Sequence, residues 1–561
     1  MAIQDLLSGL TLGPAQLAAL LSSLWLLYAV QLGVRRLYFS PISHVPGPRL
    51  AALTQLYEFY YDIVLGGQYT FKIIELHRQY GPVVRISPWE VHVGDPEFFS
   101  ELYTGPSRPR EKWAFYTQQF GSPESALATV NHDHHKLRRA ALNPFFSTQT
   151  VRKLQPVIEE RVDALLDRLL ELSKRSDEPV DVMYPFSAFT NDVINEYSFA
   201  RSDHLIEDET FGKVVTDNLL MGTHLGPMIK HMNWALTLIN ALPESFSGRF
   251  IPGWGGFLKM KNDIKDQIAE IKATQDTEKW QLDVSHPTIF HDMLSSKLLP
   301  PREKTVSRLA QDGQILVQGG TLTTSWTLSL AVFHLLNRPS TLRRLRDELF
   351  SAIPDRDAVI PLAELENLPY LRGVVKESLR LGFGTSSRLA RVCPEETLVY
   401  HDRGQDGDTG NGTTVHLPPG TVIGMSTYKT QTDPRIYYDP FGFHPERWVE
   451  DGERLEKYLT VFCGGTRVCL GMALAQAELY LMLAKLFRRW GGAGVVVDGS
   501  SGGKEEDDDR RAGDVGVVKI FETTVRDCEM AADYFIPIPY KNSKGIRVVF
   551  ESSDNTDGGH S

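Results

Sequence analysis

Between Asp5 and Arg35 no side chain is charged, and from Leu17 to Val34 the chain runs almost unbroken through Leu, Ala, Val, Trp and Tyr. A helix opened by Pro14, where a missing N–H costs nothing, and closed at Val34 spans about 30 Å, the hydrocarbon thickness of a bilayer. The pattern predicts a membrane anchor over residues 1–36 with a transmembrane helix at 14–34. A cleaved signal peptide fits less well, because Asp5 stands where a basic residue is expected and no small-x-small site follows the apolar run. A buried core helix is the other reading of such a run. Arg35 and Arg36 follow at once; positive residues mark the cytosolic side, so the N-terminus is expected in the lumen and the rest in the cytosol.

The segment Pro41 to Pro48 carries three prolines in eight residues, which forbids helix and predicts a stiff linker over residues 37–49. Beyond it the period is mostly helical. Val151 to Leu172 is amphipathic, with Val157, Val162, Leu165, Leu166, Leu169 and Leu170 on one side. Gln311 to Asn337 is apolar nearly all round, as expected of a central, surrounded helix, and charged Ser340 to Phe350 follows it. Short extended runs at Val83 to Ile86 and Glu90 to Val93 interrupt the helices, so the fold class is mostly α with a small β portion. His401 to Thr414 and Gly491 to Gly516, the second with the acidic run Glu505 to Asp509, read as mobile surface insertions. Asn411-Gly-Thr413 matches a glycosylation site that a cytosolic orientation leaves unmodified.

Composition narrows the classes. Fifty-nine basic against 70 acidic residues give a net charge of −11, the wrong sign for holding nucleic acid. Four cysteines in 561 residues cannot staple the chain, so a reduced compartment is expected. Length alone suggests three or four domains, yet the anchor, one large domain over residues 50–561 and the two insertions account for it.

The chemistry concentrates in Phe462-Cys-Gly-Gly465-Thr-Arg467-Val-Cys469-Leu-Gly471, followed by an amphipathic helix from Met472 to Trp490. Cys469 stands at a helix start, where free N–H groups and the dipole favour a sulfur anion. Gly465 and Gly471 remove side chains where backbone would lie against a flat macrocycle, and Arg467 can pair with an acidic substituent of it. A thiolate axial ligand to haem iron fits these features; a small buried hydrophobe is the bland alternative for Cys469. Cys463 and Cys469 lack paired zinc-ligand spacing.

The segment resembles the FxxGxRxCxG signature of the cytochrome P-450 family at every defined position. Glu377-Ser-Leu-Arg380, with i and i+3 on one helix face, and Phe443-His-Pro-Glu-Arg447-Trp448 resemble the family's structural clamp of Glu377, Arg380 and Arg447. His135 and Arg139, four apart, and Arg391 resemble contacts to the haem propionates, a surface arginine being the alternative for Arg391. Gly319-Gly320-Thr321-Leu322-Thr323-Thr324 resembles the oxygen-activation motif. Two adjacent helical glycines cost about 1 kcal/mol each and widen a groove for dioxygen and water, with Thr323 as hydrogen-bond donor. The acid expected before Thr323 is Leu322, so the proton relay is left open among water, Thr321 and Thr324. These threonines also have a bland reading, bonding back to the preceding helical turn.

The resemblance implies a haem-thiolate monooxygenase with haem b on Cys469, single-pass in the endoplasmic reticulum membrane. It would use dioxygen and electrons from NADPH through a cytochrome P-450 reductase. It looks like fungal members of secondary metabolism that oxidise lipophilic terpenoids or polyketides. Lys136, Arg138, Lys485, Arg488 and Arg489 are candidates for the reductase-docking face. Trp113, Phe115, Tyr116, Phe120, Leu316, 384–389 and 534–536 resemble substrate-pocket edges. A non-oxidative isomerase or dehydratase and a non-catalytic haem-binding protein are the alternatives.

Overall fold

The computed structural model describes residues 13–234, 238, 253–274, 286, 288–402, 412, 414–492 and 509–555. Asn411 and residues 505–508 of the acidic run lie outside them. After α1 (Pro14–Tyr38), α2 (His132–Leu142) starts where Asn131 Oδ1 accepts from the His134 N–H, and α3 (Thr148–Arg175) where Ser147 caps Thr150. Then come α4 (Met183–Phe199), α5 (Lys213–His224), α6 (Gly226–His231) and α7 (Trp254–Thr274). The long apolar stretch is α8 (Val306–Leu336), which begins ahead of Gln311 because Thr305 Oγ1 accepts from the Arg308 N–H. It is followed by α9 (Pro339–Ala352), α10 (Pro369–Gly382), α11 (Glu446–Glu456) and α12 (Met472–Arg489).

Helix α8 packs against α4, α7, α10 and α12. A helix so enclosed has no solvent for polar side chains, and its serines bond backwards: Ser325 Oγ donates to Thr321 O at 2.8 Å and Ser329 Oγ to Ser325 O at 2.7 Å. The main sheet runs in the order β1 (Val83–Arg85), β2 (Glu90–Val93), β8 (Val422–Gly424), β5 (Arg391–Val392), β3 (Glu111–Lys112). Its β3–β5 pairing sets Lys112 directly opposite Arg391. A second sheet joins β4 (Val180–Asp181), β13 (Arg547–Ser552), β10 (Gly516–Ile520) and β9 (Trp490–Gly492). Two hairpins complete the β portion: β6 (Leu398–His401) with β7 (Thr414–Leu417), and β11 (Ala532–Tyr534) with β12 (Ile536–Ile538).

Three expectations change. Helix α1 is long and apolar enough to cross a membrane and none of its residues is buried, but it runs to Tyr38, beyond the predicted Val34. Its end is fastened: Arg36 donates to Leu53 O, and Arg85 donates to Arg36 O at 2.9 Å. The proline-rich segment is no stand-off spacer, because Ile42 and Val45 are buried beside Val83, Val91 and Val93 and the Arg85 N–H donates to Pro46 O at 2.7 Å. Nor are the insertions loops throughout. Residues 398–401 and 414–417 pair as a hairpin. In the second insertion Gly491–Gly492 and Gly516 belong to paired strands, and Asp509 and Asp514 hold the fully buried guanidinium of Arg346. A buried arginine needs those carboxylates, which is why this end of the acidic run folds back.

Candidate active site

The loop before α12 is bent by its own backbone. The Cys469 N–H donates to Phe462 O at 2.8 Å and the Val468 N–H to Gly465 O at 3.2 Å. Gly465 has φ +64°, and a Cβ there would strike the Thr104 carbonyl oxygen. Its glycine therefore serves the fold of the loop and not, as expected, a surface against a macrocycle. Gly471 meets that expectation: nothing lies within 4 Å of its Cβ position, and it lines a cavity shared with Phe462, Cys469 and α8. Cys469 is accessible, but what it is accessible to is this cavity. Burial raises its thiol pKa, opposed by the Gly471 N–H and by Arg139.

Five basic side chains line the same cavity: Lys112, His135, Arg139, Arg391 and Arg467. Strand pairing places Lys112 against Arg391, and α2 carries His135 and Arg139 on one face. Arg467 donates to Thr129 O (2.6 Å) and Val130 O (2.9 Å), yet its buried Nε has no partner among the described residues. Arg391 is buried, not a surface residue; it stacks on the Tyr103 ring and approaches Cys463 Sγ at 3.5 Å. These groups repel one another. Burial and its cationic neighbours push His135 down to about 2 and Arg467 down to about 9, and burial with Arg391 and Arg467 depresses Lys112. Cations facing each other across a strand pair are destabilising by themselves and need anions between them. A flat ligand with two carboxylates at one edge and a metal at its centre fits this ring and the cavity-facing sulfur. Lys112 was missed in the sequence because nothing local marks it; only the pairing with β5 brings it to the site.

The clamp lies behind the loop. Arg380 donates to both Glu377 oxygens (2.8 and 2.9 Å) and to the carbonyls of Gln431, Pro440 and Gly442. Arg447 Nε stands 3.2 Å from Glu377 Oε1, and its terminal nitrogens reach Tyr438 O and Asp439 O. Trp448 Nε1 and the His444 N–H also donate to Glu377, at 2.8 and 2.9 Å. Glu377 and Arg380 have no exposed surface.

On α8 both glycines line the cavity; Gly319 has open space at its Cβ position, whereas a Cβ on Gly320 would also press on Ile194 of α4. Thr323 lines the cavity, and its hydroxyl donates back to Gly319 O at 2.8 Å. Thr321 is turned away, accepting from Asn191 at 3.1 Å, which removes it from the relay candidates. Thr324 hydrogen-bonds Glu478, a fully enclosed carboxyl on α12 that also lines the cavity and whose pKa burial raises well above the carboxylate range. The sequence signal for Glu478 is an acid on the apolar face of α12, between Leu474 and Met482.

Of the expected pocket edges, Tyr116, Phe120, Leu316, Gly384 and Leu389 line the cavity. Trp113 and Phe115 pack on each other, and Phe115 on His231. The expected docking cations are mostly internal. Arg138 is buried on Glu303 (2.8 Å), Arg488 on the carbonyls of Ile353 and Pro354, and Lys485 and Arg489 pair with Asp163; only Lys136 is exposed. The end of α12 packs against α3, which supplies those acids.

Residues 46–491 match the family description Cytochrome P450. The chain is 42% identical over 521 residues to Cytochrome P450 monooxygenase tpcC of Cochliobolus heterostrophus, covering 93% of this chain and 94% of the relative. It is 37% identical over 536 residues to N-acetyltryptophan 6-hydroxylase ivoC of Emericella nidulans, covering 94% and 96%. With Tryptophan 6-hydroxylase fscE of Fusarium equiseti the identity is 36% over 530 residues, again 94% and 96%. A cavity-facing cysteine, a ring of basic side chains and a polar, glycine-bearing step in an apolar helix thus occur in a chain that belongs to the cytochrome P450 family, a haem-thiolate monooxygenase.

Proposed function

We propose that this monooxygenase is anchored by α1 in the endoplasmic reticulum membrane with residues after Arg36 in the cytosol, and that it oxidises a lipophilic natural-product intermediate with electrons from NADPH-cytochrome P450 reductase. The observation that carries the reading is the convergence of Cys469, the five basic side chains, Thr323 and Thr324 on one cavity. Cys469 is the thiolate ligand in this reading, and Lys112, His135, Arg139, Arg391 and Arg467 hold the propionates. The haem, when bound, supplies activation of dioxygen, with the thiolate favouring O–O cleavage. Thr323 and the open face of Gly319 leave room for a small molecule beside the helix.

Leu322 stands where an acid is expected, and its side chain is 1% exposed, so protons come from elsewhere. Glu478 is the candidate donor: burial raises its carboxyl pKa and favours the protonated form, and Thr324 links it to the cavity. Glu478→Gln keeps the shape and removes the exchangeable acid. It is expected to lower product formation about 100-fold while NADPH consumption continues, checked by the ratio of product to NADPH oxidised. Two relatives are named for 6-hydroxylation of tryptophan or N-acetyltryptophan, which makes a ring carbon a reasonable point of attack here. The function test is turnover under oxygen-18: one labelled atom in the product, dependent on NADPH and reductase, supports the reading. Turnover without either reductant or reductase favours the isomerase or dehydratase.

A further inference from the structure

A second cavity opens from Gly319 and Thr323 away from the thiolate loop, between α5, α6, α7 and the tip of the β11–β12 hairpin. Its walls are aromatic, with Phe120, Trp254, Phe257 and Phe535. Two polar groups among them have no hydrogen-bond or carboxylate partner among the described residues. Trp254 is 2% exposed, and its indole N–H donates to nothing among the described residues. Lys261 lines the cavity with its ammonium 5.8 Å from the centre of the Phe257 ring, and no described carboxylate pairs with it. Burial lowers its pKa, and no acid opposes that shift. The buried Lys230, by contrast, is held by both Glu58 and Asp62 at 2.6 Å. A buried indole N–H with no partner is costly unless a ligand completes it, and the half-buried Lys261 ammonium beside it has only the Phe257 ring for company among the described residues.

We propose that this cavity binds an aromatic substrate bearing a carboxylate, with Lys261 as its counter-ion and Trp254 Nε1 as a second donor, so that the ring is directed towards Gly319 and Thr323. The inference rests on the monooxygenase reading and narrows its substrate class. Phe120 and Phe535, in edge-to-face contact at 4.9 Å, line both cavities and mark the passage between them. A carboxylate fixed at α7 is a handle that sets which ring carbon reaches α8, since one charge-assisted contact orients an otherwise apolar molecule.

N-acetyltryptophan and its carboxamide share ring and bulk and differ in charge, which suits them as probes. Calorimetric titration of the full-length, haem-loaded protein is expected to show the acid binding at least about tenfold tighter than the amide, the effect of one charged hydrogen bond. Lys261→Met abolishes the preference, Lys261→Arg retains most of it, and Trp254→Phe weakens the acid more than the amide. Equal affinity for acid and amide, binding of neither, or a preference that survives in Lys261→Met overturns the proposal. The carbon monoxide spectrum of each variant, recorded in parallel, separates this failure from that of the haem-thiolate reading, which alone alters the band.

Discussion

Replacing Cys469 by alanine is expected to abolish product formation while leaving a folded protein. The side chain lies on the cavity wall and makes no side-chain hydrogen bond that holds another element; the loop is shaped by backbone bonds such as Cys469 N–H to Phe462 O, which alanine keeps. The basic side chains proposed to hold the haem's acidic edge also remain, so haem binding is expected to weaken without disappearing. Circular dichroism and thermal melting check the fold, and haem content with turnover checks the chemistry. The remaining cysteines cannot substitute. Cys463 is held in the loop at φ +60° beside Arg391, while Cys393 and Cys528 are buried and do not line the cavity. Burial raises the thiol of Cys393 to about 11, which suits an inert core residue.

Arg380→Ala has the other large expected effect, and it acts through folding. The guanidinium satisfies both oxygens of Glu377 and three backbone carbonyls, all enclosed. Removing it leaves Glu377 only Arg447, Trp448 and the His444 N–H and strands three enclosed carbonyls, a loss of about 3–5 kcal/mol. Against a typical total stability of about 5–15 kcal/mol this removes a large share of the margin and loosens the segment behind the thiolate loop, so haem incorporation should fail rather than turnover slow. Arg380→Lys is expected to rescue little, because one ammonium cannot reproduce the two-pronged contact. The clamp also fixes a pH direction. Burial pushes Glu377 up, but Arg380 and Arg447 outweigh it, and the folded pKa lies below the ordinary value. Its stabilisation is therefore complete above the unfolded pKa of about 4.3 and is lost as pH falls through the lower folded value. Haem retention measured against pH checks this, and Arg380→Ala should be haem-poor at every pH.

What was legible in the sequence shares a cause. Periodicity located α3, α8, α9 and α12 because each buries a continuous stripe, and the loop from Phe462 to Gly471 carries its chemistry in consecutive residues. Glu377, Arg380 and Arg447 were likewise readable, although Trp448, the next residue, was not seen as a member of the clamp. The rest depends on contacts between distant segments. Lys112 enters the cation ring through a strand pairing with Arg391, and Glu478 matters only because α12 meets Thr324. Arg488 and Lys485 looked like a solvated helix end until α3 and residues 353–354 closed over them. Gly465 is explained by the close Thr104 carbonyl and not by a ligand, while Gly320 meets Ile194 as well as the cavity. Charge on a helix and glycine in a motif do not reveal which neighbour they face.

The central claim is that Cys469 ligates haem as a thiolate in a cage of five basic side chains. The most direct measurement is the spectrum of the reduced, carbon monoxide-bound, haem-loaded protein. The account predicts the family's long-wavelength Soret band in the unmodified chain and its loss in Cys469→Ala. A folded, haem-loaded unmodified chain that shows only the short-wavelength band of a haem without thiolate would contradict it.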